Sequence, residues 1–450
     1  MQDEVSAMTD RNASVDALEP ADWFKRFVYV AGSDSYFDME ARQEYSRKAF
    51  DAMYRGAPTI SIHTKKKVQA SHFFDENRQA LGSQMIAAIT YAAGESALCE
   101  LQGKLYANRW KNARPEGKPG DVSLWLQHLE RIVPAPEERE HILNCLAFKR
   151  QNPHRKINHA ILHAGTPGVG KDTLYTPFLY SIGGRGLVNV AVARAEEVCG
   201  DWGYVLESEV VILNEMRAKG QQDARMMENT LKPIIAAPPE VLMVNKKHEA
   251  PTYIQNRGFV IAMSNYRAAI SIPADDRRWF VVWSDAGPLP EAEATRLWGW
   301  YAEGGFDAVA AFLSARDVSR FNPSASPPMT AAKESMIDLT MSGAEAYLQD
   351  CIRNRRGPFV RGIVGSPLID IHKSIASMVQ NGRMPREAVV DALARAGWIH
   401  LKRLTSSRNS SPKDVWVVPE LAAGMTHSQL RDFLEGGTPL SVVSRAAPSE

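Results

Sequence analysis

The chain has 450 residues, 44% hydrophobic and 23% charged, a balance that supplies a folded core and excludes a disordered or fibrous protein. Lys and Arg number 53 against 52 Asp and Glu, so overall charge selects no partner and only local clusters carry that information. The length predicts about three domains.

The first thirty residues are polar and acidic, without a basic stretch feeding an apolar one, so no secretory signal is expected. No apolar run approaches the roughly 20 residues that cross a bilayer, so no membrane partner is expected. Cys99, Cys145, Cys199 and Cys351 lie far apart without a Cys-x-x-Cys pair. That disfavours a disulfide framework and a structural metal, and a reducing cytoplasm is the expected location.

In chain order, residues 1–120 form the first zone, with a Pro/Gly/Lys-rich loop from Arg114 to Gly120 at its end. Asp121 reads as the cap of a helix carrying Leu124, Trp125, Leu129 and Ile132. A second helix follows Pro136 with Ile142, Leu143, Leu146 and Ala147 on its apolar face. The apolar runs at 160–162, 210–213, 241–244, 259–263 and 279–283 alternate with helical stretches, as in a parallel sheet covered by helices. A Pro/Ser linker at 322–330 closes this 121–330 zone, and residues 340–435 form the last.

The densest chemical signal is Gly165-Thr166-Pro167-Gly168-Val169-Gly170-Lys171-Asp172-Thr173, which matches G-x-x-x-x-G-K after a predicted strand. Glycines let backbone N–H groups and a helix N-terminus wrap a polyphosphate, and Lys171 would reach its β- and γ-phosphates. Asp172 stands where such loops carry Ser or Thr, and Pro177 is expected to kink or shorten the helix that follows. The run 210–213 ends in Asn214 and Glu215; beside a P-loop, Glu215 would orient or deprotonate the attacking water. Asn214 replaces the usual magnesium-side aspartate. Asp172 and Asn214 together read as an exchange in which the carboxylate has moved from strand to loop. Asn265, ending the run 259–263, would sense the γ-phosphate, and Arg277 or Arg278 would be an arginine finger for a neighbouring subunit.

This order of motifs resembles the superfamily 3 DNA helicases of phages, plasmids and small viruses, closest to the helicase half of primase–helicases related to the poxvirus enzyme. The likeness runs over roughly residues 100–335, including Gly120-Asp121-Val122 with Trp125 and the Ser319–Pro323 segment. It implies an α/β fold: a P-loop, AAA+-like parallel-sheet ATPase core, assembled as a ring, usually a hexamer, with ATP and Mg²⁺ between subunits. It assigns Lys171 and Asp172 to nucleotide and metal, Glu215 to catalysis, Asn265 to sensing, and Arg278, ahead of Arg277, to the finger. In the family a hairpin at 240–255 lines the pore, which would set Lys246, Lys247 and His248 on single-stranded DNA. A separate primase or polymerase is a possible partner. Asp34 and Asp38 stand apart from any paired-carboxylate pattern, so no primase activity is expected here.

Residues 353–413 hold twelve Lys and Arg against three acidic residues. A helix after Pro385, ended by Gly397, and a hairpin from 398–404 to 415–418 give the outline of a winged-helix DNA-binding domain. Arg383, Arg386, Arg395, Lys402, Arg403 and Arg408 are the expected phosphate contacts. The first zone, with its exposed-looking Lys65-Lys66-Lys67 run, is expected to be a mostly helical assembly collar. The whole reads as a ring helicase acting on single-stranded and forked DNA. A DNA-binding initiator or loader ATPase without processive unwinding is the alternative.

Overall fold

The structure, a computed structural model, describes residues 25–78, 85–101, 103–198, 203–217, 221–247, 251–340, 343–365, 386–405 and 411–436. The chain divides into two compact units, residues 1–270 with 277–333, and residues 271–276 with 334–450. The boundary expected at residue 120 therefore does not divide the chain. Trp110 Nε1 donates to Glu209 Oε1 at 2.6 Å and Arg114 pairs with the same carboxylate, fully buried at the entry to a core strand. Cutting there would strand a buried charge.

The centre of the first unit is a five-stranded sheet of β1 (Ala160–Gly165), β2 (Val190–Arg194), β3 (Val210–Asn214), β4 (Phe259–Ser264) and β5 (Trp279–Ser284). Its order is β5-β1-β4-β3-β2 and every pairing is parallel. Every residue of β1 and β4 is buried, which is why these strands read as continuous apolar runs rather than alternating ones. The run 241–244 is not part of this sheet. The edge place belongs to β2, whose Val-Ala-Val-Ala-Arg is weakly apolar and whose Val192 is exposed.

Helices α1 (Ser123–Ile132), α2 (Pro136–Gln151) and α3 (Lys171–Gly183) pack on the sheet with α4 (Phe306–Ala315). Trp125, Leu129, Ile132, Ile142, Leu146, Phe178 and Leu313 share their core with Ile161, Ile212, Ile261 and Phe280. Asp121 stands one residue before the cap of α1, which is Val122, and its carboxylate accepts from the Ser123 backbone N–H at 2.9 Å in a local turn that leads into the helix. Pro177 does not shorten α3, which continues to Gly183. Proline at 177 leaves the Thr173 carbonyl without its helical donor, and the Tyr301 hydroxyl donates to that oxygen at 3.0 Å instead.

The first zone is not mostly helical. Between residues 27 and 108 the described chain forms two small sheets, a four-stranded one (43–46, 35–38, 27–30, 85–86) and a three-stranded one (88–90, 104–108, 98–101), with helices Arg47–Met53 and Ala70–Asn77. Phe27-Val28-Tyr29-Val30 and Ser35-Tyr36-Phe37-Asp38 bring aromatic and β-branched side chains that pack well on a pleated sheet. Tyr36, Phe50 and Phe74 close one core, and Val28, Phe37 and Ile86 another. Asp38 is buried, paired with Arg26 and accepting from the Glu40 and Ala41 backbones, a structural carboxylate.

The second unit contains helices Gly343–Arg353, Arg386–Arg395, Pro419–Gly424 and His427–Leu434 and a three-stranded antiparallel sheet. Strands Ile399–Leu404 and Lys413–Val417 form the expected hairpin, with Ile363–Gly365 on the far side of the second. Gly397, at φ 76°, follows the helix it was expected to end. Among the described residues no helix is long and apolar enough to cross a membrane.

Candidate nucleotide site

The glycine loop joins the carboxyl end of β1 to the first turn of α3. Gly168 and Gly170 have φ of 78° and 95°, left-handed values that side chains with a Cβ adopt at a cost. At Gly170 a Cβ would lie 2.6 Å from the His128 ring, so glycine is required twice over. The loop is held from behind by α1. His128 Nε2 lies 2.9 Å from the Gly170 carbonyl, and Arg131 donates to the carbonyls of Val169, Gly287 and Pro288. Trp125 Nε1 donates to the Leu174 carbonyl at 2.9 Å, fixing the start of α3.

Beneath the loop, His163 of β1 is fully buried between the Tyr175 hydroxyl and Ser284 Oγ, at 3.0 and 2.8 Å. Burial pulls its imidazole down from 6.5 to about 3, with Lys171 and His128 adding to the effect. A neutral His163 thus joins β1, α3 and β5 by hydrogen bonds.

Lys171 is 7% exposed, and its Nζ donates to the carbonyls of Gly165 at 3.0 Å and Thr166 at 3.2 Å and to Asn265 Oδ1 at 2.9 Å. Burial lowers its pKa, and Asp172 partly opposes that. The ammonium is therefore held at the floor of a cleft of about 770 Å³, within the size range of small-molecule sites. Pro167, Gly168, Gly170, Asp172, Thr173, Asn214, Glu215 and Asn265 line this cleft, as does Arg194 from the edge strand.

Asn214 and Glu215 are not on the strand beside β1, because β4 lies between β1 and β3. The intervening strand is the one ending in Ser264-Asn265, which sets Asn265 against Lys171 on one side. Ser264 Oγ donates to the Met216 carbonyl at 2.7 Å and Met216 N–H to the Met263 carbonyl, fastening the chain just after Glu215 to the end of β4. Glu215 is exposed and sits at φ 53°, a left-handed conformation unfavourable for a residue with a long side chain. Asn214 Oδ1 is buried without a hydrogen-bond partner, an orphaned acceptor facing the site. That acceptor and the exposed Asp172 carboxylate are oxygen donors of the kind a hydrated Mg²⁺ takes.

Arg277 and Arg278 are not brought to this cleft. The Arg278 carbonyl accepts from Ala160 N–H at the opposite end of β1, the strand's length of about 16 Å away. Sequence reading did not find the supports His128, Arg131, His163 and Tyr301, whose partners lie far along the chain.

The hairpin of strands Val241–Val244 and Thr252–Gln255 packs on the first zone, where Thr90 Oγ1 donates to the Tyr253 carbonyl and Val244 and Ile254 meet Tyr91 and Trp110. It exposes Met243 and its cross-strand partner Tyr253. Lys246 was expected on DNA, but it is buried, 7% exposed, with Nζ 2.8 Å from Glu207 Oε2. A cation neutralised in this way is not available to a phosphate backbone. Lys247 is exposed, whereas His248 lies outside the described residues.

In the second unit Lys402 and Arg403 are exposed on the hairpin, next to a register shift between Leu401 and Leu404, and Arg403 takes φ 56°. Arg395 is exposed as well. Arg386 opens its helix, while Arg383 and Arg408 lie outside the described residues.

A family of unknown function, DUF5906, matches residues 163–278, which run from the middle of β1 to Arg278. No curated protein matches the sequence. Among solved structures the chain is similar to the apo C-terminal region of NrS-1, with a TM-score of 0.59 at 14% identity over 90% of this chain and all of that one. The A form of the same region gives 0.56 over 87% of this chain and 96% of that one, again at 14% identity. At this identity the likeness establishes a shared fold.

Proposed function

We propose that the chain is an ATP-driven DNA helicase of phage or plasmid-type replication, working in the cytoplasm as a homo-oligomeric, hexameric ring. The reading is carried by Lys171, locked by three oxygens at the floor of a cleft whose rim holds Asp172, Asn214 and Glu215. A buried ammonium beside a glycine loop and a helix N-terminus supports polyphosphate binding, because the loop amides and the helix end both favour an anion. The loop amides would take the phosphates, and Lys171 would exchange its present oxygens for theirs. Asp172 and Asn214 would hold Mg²⁺, which neutralises charge on the transferred phosphoryl group. Glu215, exposed and held in a left-handed conformation, would accept a proton from the attacking water.

Arg278 lies at the far end of the strands, so it would serve the site of a neighbouring copy and not its own. Lys247 on the hairpin, and Lys402, Arg403, Arg395 and Arg386 on the second unit, would track DNA phosphates, a salt-sensitive contact. A separate primase or polymerase would then extend what the ring opens. The exposed cations of the second unit equally favour an initiator or loader ATPase, which would bind DNA and turn over without displacing a strand.

The test is steady-state, Mg²⁺-dependent ATP turnover with and without single-stranded DNA. Turnover should rise with DNA and fall at least ~100-fold in Lys171→Ala. Asp172→Ser should be similarly impaired, and Asp172→Ser with Asn214→Asp partly restored. Absence of turnover in the wild-type chain would reduce the cleft to a binding site, and absence of rescue would refute the carboxylate exchange.

A further inference from the structure

At the amino ends of the strands three ligand atoms converge that the proposed ATPase does not use. His141 and Cys145 are four residues apart on α2, hence on one face of that helix, and His159 immediately precedes β1. His141 Nε2 lies 3.0 Å from His159 Nε2, and Cys145 Sγ lies 3.4 Å from the same nitrogen. All three atoms fall within 4.8 Å of one another. Cys145 and His159 are buried, at 0% and 1% exposure, while His141 is half-buried and packs against Phe280 and Phe321.

Hydrogen bonding alone satisfies this cluster poorly. An imidazole nitrogen has either one lone pair or one proton, so His159 Nε2 makes one good hydrogen bond and not two. A metal ion would engage all three atoms at once. Tetrahedral bonds of 2.0–2.1 Å to nitrogen and 2.3 Å to sulfur place two nitrogens about 3.3 Å apart and nitrogen and sulfur about 3.5 Å apart. The observed separations are near both values. We infer that His141, Cys145 and His159 form a binding site for a zinc-type transition metal ion.

Two imidazoles and one thiolate are the donor set that selects Zn²⁺ over Mg²⁺ or Ca²⁺. Burial already favours the neutral imidazoles that coordination requires, lowering His141 to about 4 and His159 to about 3. It also raises the Cys145 thiol, so the metal must displace that proton to solvent on binding. Both histidines line a cleft of about 540 Å³ together with Asp317 and Asn322, so a fourth ligand would be drawn from that cleft. The role is structural. The ion clamps α2 to the residue before β1, next to Ala160, whose N–H is bonded to the Arg278 carbonyl. The scattered cysteines had argued against a structural metal, because that argument weighed cysteine pairs and not a His-x-x-x-Cys helix face with a distant histidine.

The experiment is Co²⁺ titration of the EDTA-treated full chain, without nucleotide or Mg²⁺, followed by visible and near-ultraviolet absorption. One equivalent should give tetrahedral d–d bands and a thiolate-to-cobalt charge-transfer band, both erased by Zn²⁺. Cys145→Ser should lose the charge-transfer band, and His141→Asn should weaken Co²⁺ binding at least ~10-fold. Circular dichroism verifies that each variant is folded. His141 is partly exposed, so His141→Asn decides the matter if Cys145→Ser does not fold. A wild-type chain without the charge-transfer band, or variants that keep it and its affinity unchanged, would overturn the site.

Discussion

At the carboxyl ends of its strands the central sheet presents exposed groups, Asp172 and Glu215, and one conformationally costly backbone, Glu215 at positive φ. At the amino ends of the same strands it buries His159, Cys145 and Phe280. The first arrangement cannot sustain itself, because exposed acids and left-handed residues contribute nothing to stability. It depends on what stands behind it: Trp125 on Leu174, His128 and Arg131 on the loop carbonyls, His163 between Tyr175 and Ser284, and Tyr301 on Thr173. Activity and stability should therefore separate in space, with cleft substitutions removing turnover and leaving the fold, and supporting substitutions doing the reverse.

The sharpest way to break that separation is Trp125→Ala. Trp125 is fully buried and central to the core, so its loss should cost about 3–5 kcal/mol in urea unfolding. Glu215→Gln, at an exposed side chain of the cleft, should stay within about 1 kcal/mol of wild type in the same measurement. A Glu215→Gln chain as destabilised as Trp125→Ala would mean that the cleft is part of the framework.

Next in size is the pH response of His163. Its folded pKa of about 3 lies below the unfolded 6.5, so the unfolded chain binds the proton first as pH falls. The contribution of its burial is intact above 6.5 and is lost between there and 3. Between pH 7.5 and 5.0 the wild type should lose about 2 kcal/mol more stability than His163→Gln. Parallel losses would show that the imidazole is not kept neutral by its surroundings. Smallest is Tyr301→Phe, which orphans the Thr173 carbonyl and should cost about 1 kcal/mol. An unchanged midpoint would mean that water replaces the hydroxyl.

How much of this was legible in the sequence depended on the range of the signal. The glycine loop, α1, α2 and the Asn-Glu and Ser-Asn strand ends were readable because each is encoded within a few neighbouring residues. So was the C-terminal hairpin, through the Ser/Asn/Lys residues at its tip between the runs 398–404 and 415–418. The first zone was misread as helical because its strands are two to five residues long, too short for a period to declare itself. Lys246 was misassigned because Glu207, its partner, is 39 residues away. The unbroken helix through Pro177 was illegible for the same reason, since its compensating hydroxyl comes from Tyr301. The order of strands, with β4 between β1 and β3, follows from no local pattern. The cleft's residue types could be read, but not which of them meet: Asn265 on Lys171, Arg278 at the other end.

The central claim is that nucleotide turnover at the exposed end of the sheet drives strand separation. Its most direct test is ATP-dependent displacement of a labelled strand from forked DNA with 3′ or 5′ tails, with wild type beside Glu215→Gln. The account predicts displacement from one tail polarity only, abolished in Glu215→Gln while the variant still binds DNA. DNA-stimulated turnover with no displacement on either fork would contradict it and leave the initiator or loader reading in its place.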